Sequence, residues 1–235
     1  KGEDEAKFRE WSGAVAELLG GSNGTPELMQ RVEGQAHEMR GYFRGLADEL
    51  RAHPQPGLLS ALAAVEDGGE RLSSDELLAN AVLLLAAGHE TTTNLISGGL
   101  LERPELAVSV TEELLRLTSP VQRTGRGLSQ DTQIGGQTLA AGSFVGLIVA
   151  VANRDPAVFS DPDRLDPQRP NSARHLAFAS GPHYCLGASL ARLEGEVVFR
   201  TLAERYPDVK VLPQQVNFRP NFVLRGPLTL RASLN

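Results

Sequence analysis

One cysteine in 235 residues leaves this chain few ways to use sulfur. Cys185 sits in Phe178-Ala-Ser-Gly181-Pro-His183-Tyr-Cys185-Leu-Gly187. A single thiol cannot form an intramolecular disulfide and is too few for a thiolate zinc or iron–sulfur site. A buried thiol, a nucleophile, or one axial ligand to a metal cofactor remain. Leu186, Leu190, Leu193 and Val197 follow at helical spacing, so a helix is expected to begin at Cys185, where free N–H groups and the helix dipole favour a thiolate. Gly181 and Gly187 remove side chains on both sides of the sulfur and let a flat ligand lie against the backbone, and His183 adds a donor. No Ser/His/Asp relay accompanies the cysteine, which weighs against a nucleophile. Taken alone, such a residue is most simply a buried small hydrophobe.

The rest of the chain reads as mainly helical with small β elements. Phe8, Trp11, Val15 and Leu18 share one face of a helix that ends at Gly20-Gly21-Ser-Asn-Gly24. Met29, Val32, Ala36, Met39, Phe43, Leu46 and Leu50 mark a long amphipathic helix stopped near Pro54. Both are most simply packing stripes. Ser73-Ser-Asp-Glu76 reads as a capping box opening a helix that runs to about Leu101. Pro104 and Glu105 start another, carrying Leu106, Val110, Leu114 and Leu117 to Pro120. Thr132–Ile134, Gln137–Leu139 and Ser143–Ile148 read as short strands, Asn153 to Asn171 as an irregular segment, and Val223-Leu224 with Leu228–Arg231 as a terminal hairpin. The Cys185 helix is expected to end near Tyr206-Pro207.

Ala87-Gly88-His89-Glu90-Thr91-Thr92 is unusual for mid-helix, because glycine weakens a helix by about 1 kcal/mol relative to alanine and adjacent threonines add stiffness. By itself it is a benign kink, or a place where Gly88 admits a ligand and Thr91 bonds back to a carbonyl and opens the helix. An acid beside an alcohol can deliver protons. Glu113 and Arg116 stand at i and i+3, a commonplace pairing that contributes about 0.2–0.5 kcal/mol on a solvated surface. Arg126, in Pro120-Val-Gln-Arg-Thr-Gly-Arg126, is by itself a solvent-facing cation.

Phe-x-x-Gly-x-His-x-Cys-x-Gly resembles the haem-binding loop of the cytochrome P450 family in its bacterial soluble form. Ala-Gly-x-Glu-Thr-Thr at 87–92 and Glu-x-x-Arg at 113–116 are similar to two further motifs of that family, in the same order. The resemblance implies haem b (iron protoporphyrin IX) with Cys185 as axial ligand, and Phe178, Gly181, Gly187, Ala87 and Gly88 around it. It gives the propionates Arg126 and His183. It assigns Glu90 to a proton relay and Thr91 to a hydrogen bond at iron-bound dioxygen. Glu113 and Arg116 correspond to a structural pair completed by an arginine of the irregular segment, for which Asp161-Pro-Asp-Arg164 supplies Arg164. The first two helices correspond to those over the substrate pocket, and Leu84, Val121, Gln122, Phe222 and Val223 fall near the expected substrate face.

The implied activity is a haem-thiolate monooxygenase inserting one atom of O2 into a small or medium apolar organic substrate, with electrons from a ferredoxin or flavodoxin-type donor. Residues 1–235 match one P450-like domain from the pocket-roofing helices to the C-terminus. The expectation is a fold without the family's N-terminal portion. It also lacks one helix, since only 20 residues separate Thr92 from Glu113 and Leu100-Leu101-Glu102-Arg103-Pro104 crosses the interval where the family places it. Two other readings stand beside this one. A non-catalytic P450-like partner protein would typically lack the cysteine, and a peroxide-driven enzyme would replace the Glu90-Thr91 pair.

Charge and hydropathy bound the partners. A net charge of −6 and a pI near 5.4 argue against nucleic acid. The longest apolar run, Leu77–Ala87, is interrupted by Asn80 and too short to span a bilayer, so no membrane is expected. The charged opening Lys1-Gly-Glu-Asp-Glu is not a signal peptide, and one reduced cysteine suits the cytoplasm.

Overall fold

A computed structural model describes residues 2–20, 25–64, 66–67, 70–102 and 110–234. The chain divides into two compact units, residues 1–90 and 91–235. The expected turn at 21–24 and the expected helix start at Pro104-Glu105, with Leu106 and the Arg103-Pro104 crossing, lie outside the described residues.

The first unit holds α1 (Gly2–Leu19), α2 (Pro26–Ala52), α3 (Leu58–Ala64), a small antiparallel pair of β1 (Glu66–Asp67) and β2 (Glu70–Arg71), and the first part of α4 (Ser74–Glu102). Thr25 caps α2: its hydroxyl accepts from the Leu28 N–H at 3.2 Å, with Pro26 at the first helical position. Apolar spacing on α1 and α2 meets in one core of Trp11, Met39, Phe43, Leu78 and Ala81, with Phe8 and Tyr42 packed against it. The stripe on α2 differs from the sequence reading at its start. Leu28 is buried and Met29 is half exposed, because the capped first turn rotates Leu28 onto the face that Val32 and Met39 continue. On α1, Leu18 also turns outward, at the end of the stripe.

The expected capping box opens α4. Ser73 Oγ accepts from the Glu76 N–H at 3.2 Å and Glu76 accepts from the Ser73 N–H at 2.9 Å. The helix then continues in helical conformation through Gly88–Thr92. The flanking run of leucines and alanines sustains the helical hydrogen bonding across one glycine.

The second unit begins with the rest of α4 and adds α5 (Thr111–Thr118), β3 (Thr124–Gly127), β4 (Thr132–Ile134), β5 (Gln137–Leu139), β6 (Phe144–Leu147), the single turn α6 (Val149–Ala152), α7 (Ala188–Arg205), β7 (Lys210–Val211) and β8 (Ala232–Ser233). β4 and β5 form a hairpin about Gly135-Gly136, both at positive φ (58° and 80°) as a two-residue turn of this kind requires. β3 pairs antiparallel with β6 around that hairpin. The core is Leu95 of α4, Val110, Leu114 and Leu115 at α5, Phe178, and Ala188 and Phe199 of α7. Close approach of α4 and α7 depends on glycine: a Cβ on Gly99 would lie 2.5 Å from the Phe199 ring, and one on Gly195 3.3 Å from Leu95.

The terminal hairpin is not built as expected. Val223-Leu224 does not pair with 228–231; Leu224 bridges Val121, while 226–233 runs antiparallel to 210–219 through the Phe218–Pro227 bridge and the β7–β8 pair. The Asn221 carboxamide accepts from the N–H groups of Val223 and Leu224, both at 2.8 Å.

Candidate functional site: the cysteine loop and the helices that hold it

The loop from Phe178 to Gly187 lies between the irregular segment and α7 in the second unit. It turns at Gly181, whose φ of +70° favours glycine, through a short 3₁₀ turn at Gly181–His183. The Cys185 N–H donates to the Phe178 carbonyl at 2.9 Å, so the residue that opens the motif fixes the backbone of the residue that closes it. Residues 181 to 187 are all exposed, including Cys185 and His183. α7 follows at Ala188, so the sulfur stands at a helix start as its spacing implied.

The apolar stripe on α7 points away from the core: Leu186 is 92% exposed, and Leu190, Leu193 and Val197 are between 50% and 56% exposed. The face that meets α4 and α5 carries Ala188, Gly195 and Phe199 instead. Thr92 ties α4 to α7 by donating to the Glu194 carboxylate at 2.8 Å. On α4, Ala87 and Gly88 are exposed, Glu90 is buried and Thr91 half-buried.

Behind the loop lies a buried ion cluster. Arg116 donates from Nε and Nη2 to the two Glu113 oxygens at 2.7 and 2.8 Å, and Arg169 Nε donates to Glu113 Oε1 at 2.9 Å. The third ion is therefore Arg169, which corrects the expectation of Arg164. Arg164 is exposed and contributes only its carbonyl, which accepts from both guanidiniums at 3.1 and 3.3 Å. The turn at Asp161, with φ of +45°, brings that carbonyl inward and leaves the Arg164 side chain outside. Arg116 also donates to the carbonyls of Asn153 and Pro162, and stacks on Phe159 at 5.1 Å. Burial alone would raise the Glu113 pKa, but the bonds from the two arginines and from the Asp166 N–H hold it below the ordinary value.

A second cluster touches the loop itself and was not anticipated. Glu112 accepts from Arg192 Nε and Nη2 at 2.6 and 3.2 Å and from His175 Nε2 at 3.2 Å. His175 Nδ1 accepts from the Ala177 N–H at 3.1 Å, which places the ring proton on Nε2, facing the carboxylate. The bond from His175, joined by that from Arg192, pulls Glu112 down to about 2. Asn153, fully buried, spans the same region: it donates to Ser119 Oγ at 2.9 Å and accepts from the Leu176 N–H at 2.7 Å. The pairs that Glu112 and Asn153 make lie 23 to 80 residues apart along the chain, and no local spacing signals them.

The other sequence-predicted residues fall in two places. Val121, Gln122, Phe222 and Val223 come together, with the Gln122 N–H donating to the Val223 carbonyl at 2.7 Å and Phe222 exposed beneath Arg123. Leu84 belongs to the first unit. Arg126, on β3, is half-buried and donates to the Gly125 carbonyl at 2.7 Å and to Thr124 Oγ1 at 3.3 Å.

A family model described as cytochrome P450 matches residues 101–230. This chain belongs to the cytochrome P450 family. It is 36% identical to the polyketide biosynthesis cytochrome P450 PksS of Bacillus subtilis, over 99% of this chain and 60% of that protein. It is 39% identical to the cytochrome P450 monooxygenase PikC of Streptomyces venezuelae, over 95% of this chain and 56% of that protein. Among solved structures, ligand-free CYP164A2 of Mycobacterium smegmatis superposes with a TM-score of 0.88 at 38% identity, covering 99% of this chain and 63% of that one. The chain thus spans roughly half to three fifths of the length of its curated relatives. The fold is the mainly helical P450 fold with small sheets, matched over part of its length.

P450 proteins bind haem b, and the cysteine loop fits that group. The thiol is exposed rather than buried, Gly181 and Gly187 on either side of it carry no side chains, and a Cβ on Gly187 would stand in van der Waals contact with the sulfur at 3.9 Å. Among the described residues no group of three or more His, Cys, Asp or Glu side chains could hold a metal ion, so one sulfur is the donor this site offers. Among them, too, no helix is long and apolar enough to cross a membrane.

Proposed function

We propose that this chain carries the haem-bearing part of a P450 monooxygenase, in which Cys185 is the axial ligand and residues 1–235 belong to one P450 domain. The observation that carries the reading is the exposed sole thiol, backbone-anchored to Phe178 between two glycines at the start of α7. Bound haem supplies the redox chemistry, activation of O2 and transfer of one oxygen atom to an organic substrate. The protein supplies the rest. Cys185 holds the iron; Phe178, Gly181 and Gly187 shape the sulfur side, with Ala87 and Gly88 on the face of α4 that admits the oxygen-side approach. Arg126 and His183 hold the propionates. Glu90, a buried carboxyl group, and Thr91, a half-buried hydroxyl, relay protons, the carboxyl group taking up a proton for each one it passes on.

Electrons come from a ferredoxin or flavodoxin-type donor, in the cytoplasm. The substrate is a small or medium apolar organic molecule, and the family resemblance assigns its contacts to Val121, Gln122, Phe222, Val223 and Leu84. Glu113, Arg116 and Arg169 do no chemistry and hold the scaffold behind the loop.

A reduced, carbon-monoxide difference spectrum of the haem-loaded chain tests the reading. The thiolate-type absorption is expected in the parent protein and absent in Cys185→Ser. A thiolate-type spectrum that survives in the serine variant would overturn the assignment.

A further inference from the structure

We propose that Arg192, together with Glu112 and His175, is a positioning residue for Cys185, fixing the cysteine loop in its ligating shape before any cofactor binds. This rests on the haem-thiolate reading and adds to it the groups that set the sulfur's geometry.

Little else holds the outer part of the loop. Residues 181 to 187 are all exposed, and Leu186 is almost fully so, which leaves the outer side of the loop without apolar packing. Segments with few buried contacts open locally at small free-energy cost. Phe178 and Ala188 seat the loop's two ends in the core, and between them the restraint is polar and converges on Arg192. The Nη1 donor reaches Tyr184 Oη at 3.1 Å, on the residue immediately before the cysteine. The guanidinium carbon lies 4.6 Å from the centre of the Phe178 ring, on the residue whose carbonyl accepts the Cys185 N–H. One side chain therefore grips the loop at both of its ends.

Arg192 is itself held. Nε and Nη2 fork onto the two oxygens of Glu112, the geometry in which arginine loses least freedom per bond formed. Glu112 is fixed in turn from the irregular segment by His175, whose ring is 1% exposed and packs 5.7 Å from the same Phe178 ring. Phe178 and Tyr184 meet edge-on at 6.4 Å. The loop is thus clamped to α5 through Glu112 and to α7 through Arg192. A lysine at 192 could satisfy one of these partners but not the fork, the phenol and the ring together.

The test uses the full chain with two readouts. The first needs no haem: amide hydrogen exchange at 178–187, where the Cys185 N–H is bonded to the Phe178 carbonyl. The second is the thiolate-type fraction of the reduced carbon-monoxide complex after haem loading. In Arg192→Leu, exchange at the Cys185 amide is expected to rise about tenfold, the loss of roughly one charge-assisted hydrogen bond from local opening. The protected amides of α4 should not change, and the thiolate fraction should fall. Glu112→Gln keeps the volume and weakens only the charge pairing, so it carries the same test should Arg192→Leu fail to fold. Unchanged exchange at the Cys185 amide in the folded variant, beside a parent protein with a normal thiolate spectrum, overturns the positioning role alone. A parent protein with no thiolate-type spectrum overturns the haem-thiolate reading, and this role with it.

Discussion

Arg169 Nε donates to Glu113 Oε1 at 2.9 Å across 56 residues, in a site where both side chains are at least 97% buried. A buried carboxylate between two guanidiniums is stable only as a set, because removing one member leaves an unpaired charge away from water. The cluster holds together segments that share no secondary structure: α5, the turn at Asp161, and the chain leading to the cysteine loop.

Glu113→Ala is therefore expected to destabilise the chain by about 3–5 kcal/mol, or to prevent folding, as read by urea unfolding. Arg169→Ala should fall in the same range. Arg164→Ala removes an exposed side chain and leaves the carbonyl that does the bonding, so its cost should stay within about 0.5 kcal/mol. A large loss at Arg164, with Arg169 neutral, would reverse the assignment of the third ion.

Glu112 predicts a pH dependence whose sign follows from its depressed pKa. Its folded value, about 2, lies below the ordinary 4.5, so the stabilisation is fully present above about pH 4.5 and is lost as pH falls toward 2. Glu112→Gln has no such titration. The stability gap between parent and variant, measured by urea unfolding at several pH values, should be constant near neutrality and close below pH 4.5. A gap independent of pH down to 2 would show that the carboxylate's charge contributes nothing.

How much of this was legible depended on whether the signal was local. The α4 start was readable because Ser73 and Glu76 bond to each other's backbone within one turn. The β4–β5 hairpin was readable because Gly135-Gly136 can both take positive φ. β3 was missed, since Thr124–Gly127 has no apolar alternation and becomes a strand only by pairing with Phe144–Leu147. Periodicity found the α7 stripe but not its direction: Leu190 and Leu193 face outward while Ala188 and Phe199 face the core. The motif around the cysteine was plain from ten consecutive residues. The side chains that grip it, Arg192 and His175, meet Glu112 only in the folded chain.

Ser73→Ala isolates the cap of α4. The variant loses the acceptor for the Glu76 N–H and the donor to Glu76, and should be about 1 kcal/mol less stable. Restoring the bond with Ser73→Thr or Ser73→Asp should recover most of the loss in thermal unfolding. No difference between alanine and threonine would mean that α4 does not depend on its capping box.

Gly88 separates stability from ligand approach. A Cβ added there would meet no heavy atom within 4 Å among the described residues, and the position is helical. On folding grounds alone, Gly88→Ala should stabilise the haem-free chain by about 0.4–1 kcal/mol, because alanine loses less backbone freedom. If the glycine serves only the helix, haem binding should be unaffected. The proposed function expects the opposite: the family resemblance assigns exposed Gly88 to the oxygen side, and on that assignment an added methyl group would hinder ligand entry. Gly88→Ala should therefore raise the melting temperature of the haem-free chain while slowing carbon monoxide binding to the reduced, haem-loaded one. Raised stability with unaltered carbon monoxide kinetics would remove Gly88 from the site and leave it a tolerated irregularity of α4.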